Sequence, residues 1–80
     1  MAKFILHHTH EPSECAASVA CWRGFSSPLR GKQVPSACRF GEHETWWRVT
    51  AADEAEAVGL LPAFVAERVT AIRVEEMKVP

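Results

Sequence analysis

Eighty residues make one domain spanning 1–80, and a chain this short buries only about 60 to 65% of the surface its unfolded form exposes, so its core must be thin. Hydrophobic residues are 48% of the chain and charged residues 24%, the profile of a globular domain rather than a disordered tail. Nine basic against ten acidic residues give a net charge of −1, which leaves no field to gather phosphates or anionic lipid and argues against nucleic acid and membrane surfaces as partners.

Lys3 to about Thr9 reads as a strand, with Phe4, Leu6, His8 and His10 on one face and Ile5, His7 and Thr9 on the other. Glu11-Pro12-Ser13-Glu14 ends it and starts a helix over about 12–23, because proline suits the first helical position and negative charge suits the first turn. The apolar stripe of that helix is Cys15/Ala16, Val19/Ala20 and Trp22. Residues 24–33 are rich in glycine, serine and proline and read as a long loop. Val34 to Phe40 reads as a second strand, Gly41-Glu42-His43-Glu44 as a turn, and Thr45 to Thr50 as a third strand closing a hairpin. Trp47 and Val49 share one face, Trp46 and Arg48 the other. Thr50-Ala51-Ala52-Asp53 has the form of a helix start, the segment from Asp53 to Leu61 favours helix, and Pro62 breaks it. Alternation returns from Thr70 to Val79, with Ile72 and Val74 opposite in facing to Arg73 and Glu75.

The order strand, helix, strand, strand, helix, strand predicts an α+β, ferredoxin-like split βαβ fold: a four-stranded antiparallel sheet in the order 4-1-3-2 with two helices on one face. That topology gathers the end of the first strand, the hairpin turn and the start of the last strand at one sheet edge. His8, His10, Glu11, Cys15, His43, Glu44 and Glu67-Arg68 would meet there. The other face, carrying Trp46, Arg48, Arg73 and Glu75, would be bare in a monomer and invites a second copy, giving a homodimer with a pocket for a small-molecule ligand walled by Trp46, Arg48 and Arg73.

Three of the four histidines, two glutamates and a cysteine fall within residues 7–15. Imidazole and thiolate suit divalent nickel, zinc or copper, so His8, His10, Cys15 and His43 are the expected metal ligands. The plainer alternative is that the histidines are strand-end and surface residues and Cys15 a core thiol. Glu11, Glu44 or Glu67 would orient the histidines or act as general base. Arg23, Arg30 and Lys32 cluster around the long loop, where they suit an anionic group or simply a solvated surface. Cys38, in the middle of the expected second strand, reads as a small inert hydrophobe. Three cysteines do not make a disulfide framework, since Cys15 and Cys21 point apart on one helix. The apolar run Phe4-Ile5-Leu6 is too short for a signal peptide or membrane span, which points to a reduced, cytoplasmic protein.

On the Phe4-x-x-x-His8 strand and the alternating tail from Ile72 to Val79, the chain resembles small ferredoxin-like proteins of the dimeric α+β barrel group, in particular an actinobacterial nickel-binding family of about this length. The resemblance implies a dimer with a metal near the sheet edge and carries over His8 alone. The run His8-Thr9-His10-Glu11-Pro12 and the pair Trp46-Trp47 depart from that family. Two other functions fit the same sequence: a cofactor-free isomerase or monooxygenase of the barrel type, with His7 or His43 and a glutamate moving protons for a hydrophobic substrate on Trp46, and an interaction module without chemistry.

Overall fold

A computed structural model describes residues 1–80, and its framework is a three-stranded antiparallel sheet in the order β2-β1-β3, with β1 spanning Ala2–Thr9, β2 Glu44–Ala51 and β3 Val69–Val74. The central strand pairs along its length with β2, from Ala2 opposite Ala51 to Thr9 opposite Glu44, and with β3, from Lys3 opposite Val74 to His8 opposite Val69. Directly paired residues share a face. The alternation of β1 therefore places Phe4, Leu6 and His8 on one side together with Trp47, Val49 and Ala51 of β2, and all six are buried.

Helices cover that side, and they are short: α1 is Cys15–Ala20, α2 Glu54–Val58 and α3 Ala63–Ala66, with a 3₁₀ turn over Pro12–Glu14 leading into α1. Asp53 caps α2 by accepting the Glu56 amide at 2.8 Å, and Pro62, lacking an N–H, separates α2 from α3. Ala57, Leu61 and Val65 complete a core of only eight buried apolar residues. No helix is long and apolar enough to cross a membrane.

This architecture overturns the four-stranded, two-helix ferredoxin-like expectation. The expected second strand, 34–40, is absent: Pro35 has no amide to give to a ladder, and contact with β2 is limited to one bridge between Ser36 and Thr45 and the bonds Ala37 N–H to Glu44 O (2.9 Å) and Trp46 N–H to Pro35 O (3.1 Å). The chain then turns through a 3₁₀ segment, Cys38–Phe40, closed by Gly41 at φ 89°, a left-handed conformation that glycine adopts without a Cβ clash. Without that strand the order 4-1-3-2 cannot form, and the enclosed dimeric barrel built on it loses its fourth strand.

Two further expectations are corrected. The first helix does not run from 12 to 23 and its buried side is not the Val19/Ala20 stripe: Val19 is 71% exposed while Ser18 is buried. Its hydroxyl is satisfied locally by donating to Cys15 O at 2.8 Å. Nor do Trp46, Arg48 and Arg73 wall one pocket. Arg73 is paired with Phe4 and so belongs to the opposite face from Trp46 and Arg48, which are paired with His7 and Ile5, and Ile72 faces outward at 49% exposure.

Candidate metal centre

Four side chains from four separate segments converge at the end of the sheet where β1 stops. His10 follows the last residue of β1, Cys15 opens α1, Cys38 opens the 3₁₀ turn and His43 precedes β2. One ligating atom from each lies within 4.8 Å of all the others. His10 Nε2 is 3.6 Å from Cys38 Sγ, and Cys15 Sγ is 3.8 Å from His43 Nδ1. All four are half-buried, and all three cysteines of the chain are free thiols. The group can hold a metal ion.

Local backbone structure fixes each member. The His10 amide donates to His43 O at 3.1 Å, extending the β1–β2 pairing by one residue and bringing the two imidazoles side by side, their ring centroids 5.3 Å apart and edge-on. Cys15 is held by the turn before it: the Glu11 amide donates to Glu14 Oε1 (2.9 Å), and Arg68, just ahead of β3, donates to Glu14 Oε2 from Nη2 at 2.8 Å and Nε at 3.0 Å. Arg68 is itself anchored by donating to Phe64 O (2.8 Å) and lying over the Phe64 ring. Its guanidinium and the Glu11 amide hold the Glu14 carboxyl below the usual carboxylate range, the amide being the larger cause. Cys38 is placed by the Ala37–Glu44 bond and by Glu42 N–H returning to Ala37 O at 3.2 Å.

His8 stands behind the cluster rather than in it. It is 2% exposed, and its Nε2 is 2.9 Å from His10 Nδ1. If His10 donates its Nδ1–H to His8, the lone pair on His10 Nε2 is left facing the sulfurs, which is the tautomer that a metal requires. Burial, with the neighbouring His10 second, holds the His8 imidazole below its ordinary pKa, against the pull of the Arg68 and Val65 carbonyls. A neutral His8 is the form able to accept from His10. Its Nδ1 is buried without a hydrogen-bond partner. Burial also pushes the Cys15 thiol up, and the adjacent Cys38 adds to the shift. Two thiolates this close repel each other until a cation sits between them.

The remaining expected residues lie elsewhere. His7 and Glu44 are on the outer face of the sheet, where His7 Nε2 donates to Glu44 Oε1 at 2.6 Å and the His7 ring stacks on Trp46 with centroids 5.2 Å apart. Arg48 pairs with Glu76 at 3.0 Å, both well exposed. Glu67 is exposed and touches Arg68 at 3.4 Å, and Glu11 closes the turn into α1 in a reciprocal capping box with Glu14. Cys38 is the member that sequence reasoning passed over, by placing it in a strand. A signal for it was present: His10-x₄-Cys15 and Cys38-x₄-His43 are mirror-image pairs with the same spacing, near the short intervals typical of zinc ligand pairs.

No known protein family, curated protein or solved structure matches this chain.

Proposed function

We propose that this chain binds one zinc ion through His10 Nε2, Cys15 Sγ, Cys38 Sγ and His43 Nδ1, and that the ion is structural, tying the 21–43 segment to the sheet. The observation that carries the reading is the convergence of four ligand atoms within 4.8 Å in a chain whose apolar core has eight residues. Small domains with thin cores depend on staples such as metals or disulfides.

The donor set of two thiolates and two imidazoles favours zinc over nickel or copper. With metal–sulfur and metal–nitrogen bonds of about 2.3 and 2.05 Å, a sulfur and a nitrogen on a tetrahedral centre lie about 3.6 Å apart, whereas on a square plane they lie about 3.1 Å apart if adjacent and about 4.3 Å if opposite. Two of the sulfur–nitrogen separations, 3.6 and 3.8 Å, share no atom and lie near the tetrahedral value, and all four ligand atoms are within 4.8 Å of one another. Zinc accepts a tetrahedral Cys₂His₂ set without preference, while nickel(II) and copper(II) favour tetragonal sites. Four protein ligands also leave no open position for water or substrate, which is the pattern of a structural rather than a catalytic zinc.

The ion would supply what the polypeptide lacks there. Residues 21–43 contain no regular strand or α-helix, and between Gly24 and Val34 the bond from Ser27 Oγ to Leu60 O (2.7 Å) is the sole hydrogen bond to residues outside 21–43. Ordering backbone costs about 1 to 2 kcal/mol per residue, and structural zinc contributes about 10 to 16 kcal/mol in small domains. Cobalt(II) titration of reduced, tag-free protein tests the reading. A 1:1 complex should form with the intense visible d–d bands of tetrahedral coordination and two thiolate-to-metal charge transfers, displaced stoichiometrically by zinc. Weak absorption without thiolate charge transfer would reject it.

A further inference from the structure

A half-open cavity of about 390 Å³ lies between the helix-covered face of the sheet and the 21–43 segment, with His10, Cys15 and Cys38 of the proposed metal centre forming part of its lining. We infer that this cavity binds a small organic anion with an apolar body, of the class of a medium-chain carboxylate. The inference rests on the zinc reading only in that the metal would hold His10, Cys15 and Cys38, and with them one wall, in place.

The walls are apolar. Trp22 and Trp47 stand 6.0 Å apart between ring centroids, and Leu29 and Val34 face the space from the loop. Such surfaces take an aliphatic chain or a ring by burial, at about 25 cal/mol for each Å² removed from water. The space equals that of about thirteen waters at about 30 Å³ each, which sets the ligand at roughly ten non-hydrogen atoms. It is also within the about 300 to 1,000 Å³ typical of small-molecule sites.

The charge of the ligand follows from the lining. No aspartate or glutamate lines the cavity, while Arg30 and Lys32 both do. Neither cation is engaged in any of the ion pairs of the chain. They immediately flank Gly31, at φ 84°, and both line the cavity. A carboxylate beside them would find two unpaired donors, Arg in bidentate fashion, while its apolar tail reached inward between the tryptophans. A cationic or strongly polar ligand would meet like charge and unsolvated walls.

Octanoate, octanol and octylammonium, three probes of one chain length, separate these contributions. Zinc-loaded protein carrying Trp46→Phe reports through Trp22 and Trp47 fluorescence, with calorimetry as the second measurement. Octanoate should bind saturably and at least tenfold more tightly than octanol, with octylammonium weakest. Arg30→Gln/Lys32→Gln, both exposed positions, should reduce octanoate to the level of octanol and leave octanol unchanged. Val34→Trp should abolish binding of both by filling the cavity. Equal affinity for octanoate and octanol, octanoate binding unmoved by the double substitution, or no saturable binding at all would each overturn the inference. Zinc content measured on the same samples keeps the two readings apart: a zinc-free protein that still binds octanoate in this pattern removes the metal and leaves the cavity, and a zinc-loaded protein that ignores octanoate does the reverse.

Discussion

Replacing Cys38 by serine nearly keeps the size of the side chain and removes one of the four proposed metal ligands. If the about 10 to 16 kcal/mol of a structural zinc site is shared among four ligands, one thiolate carries about 3 kcal/mol, or roughly a 150-fold loss of zinc affinity at about 1.4 kcal/mol per factor of ten. Stability follows by mass action. With free zinc at about 1,000 times the wild-type Kd the ion contributes about 4.1 kcal/mol to folding, and after a 150-fold loss little more than about 1 kcal/mol remains. A domain of this size shifts its Tm by about 4 to 8 °C per kcal/mol, so Cys38→Ser should melt about 12 to 24 °C below the zinc-loaded wild type. Thermal melts in buffered zinc and in excess chelator make the measurement: at about 4 to 8 °C per kcal/mol, chelator should lower the wild-type Tm by about 16 to 33 °C and that of the variant by only about 4 to 8 °C. Cys21→Ser is the matched control, because Cys21 lies outside the cluster and donates only to Ser18 O, a bond at 3.3 Å that a hydroxyl can replace. Equal zinc affinity in Cys38→Ser and Cys21→Ser, or a wild-type Tm indifferent to chelator, would refute the reasoning.

Three further outcomes are expected. His8→Ala should weaken zinc binding by about 10- to 100-fold, the usual effect of removing a residue that orients a ligand, while the cobalt(II) spectrum keeps two thiolates and two imidazoles; loss of an imidazole from the spectrum would make His8 a ligand instead. Leu6→Ala, at a position with 0% exposure in the central strand, should cost about 2 to 5 kcal/mol in urea unfolding, against the about 5 to 15 kcal/mol that small domains have in total. The Glu14 carboxyl, whose folded pKa is depressed by the Glu11 amide and Arg68, contributes stability that is complete above the ordinary glutamate pKa and is lost as pH falls through the lower folded value. Glu14→Gln should therefore flatten the acid limb of stability measured below roughly pH 4.3; an unchanged acid limb would mean that the ion pair adds nothing.

Much of the sheet was readable because alternation is a local signal. The first strand, with Phe4, Leu6 and His8 inward, and the tryptophan strand, with Trp47 in and Trp46 out, were expected within a residue or two of their observed limits. The break at Pro62 followed from its missing amide. What misled was a segment whose pattern is strand-like but whose chemistry is not: Val34, Cys38 and Phe40 are spaced as a strand face, yet Pro35 and Gly41 bound a stretch that leaves the edge of β2 after a single bridge. That error hid Cys38, since a cysteine in a sheet core looks inert and one on a turn beside His10 does not. The phase of β3 was also misjudged, because Ile72 outward and Arg73 on the side of Phe4 defies simple hydrophobic alternation, and both residues are exposed. The convergence of His10 with His43 needed only the antiparallel pairing of two strands, and that much of the topology survived the loss of the fourth strand.

All four proposed ligands sit at one end of the sheet, so the opposite end, where Ala2 pairs with Ala51 and Lys3 with Val74, would owe nothing directly to an ion. Demetallation should be a regional event. Amide hydrogen exchange should accelerate first across 23–43 and at His10, while Phe4 and Leu6 remain slow until the whole molecule opens. A chain built this way would keep a metal-indifferent half to which the other half returns when the ion does.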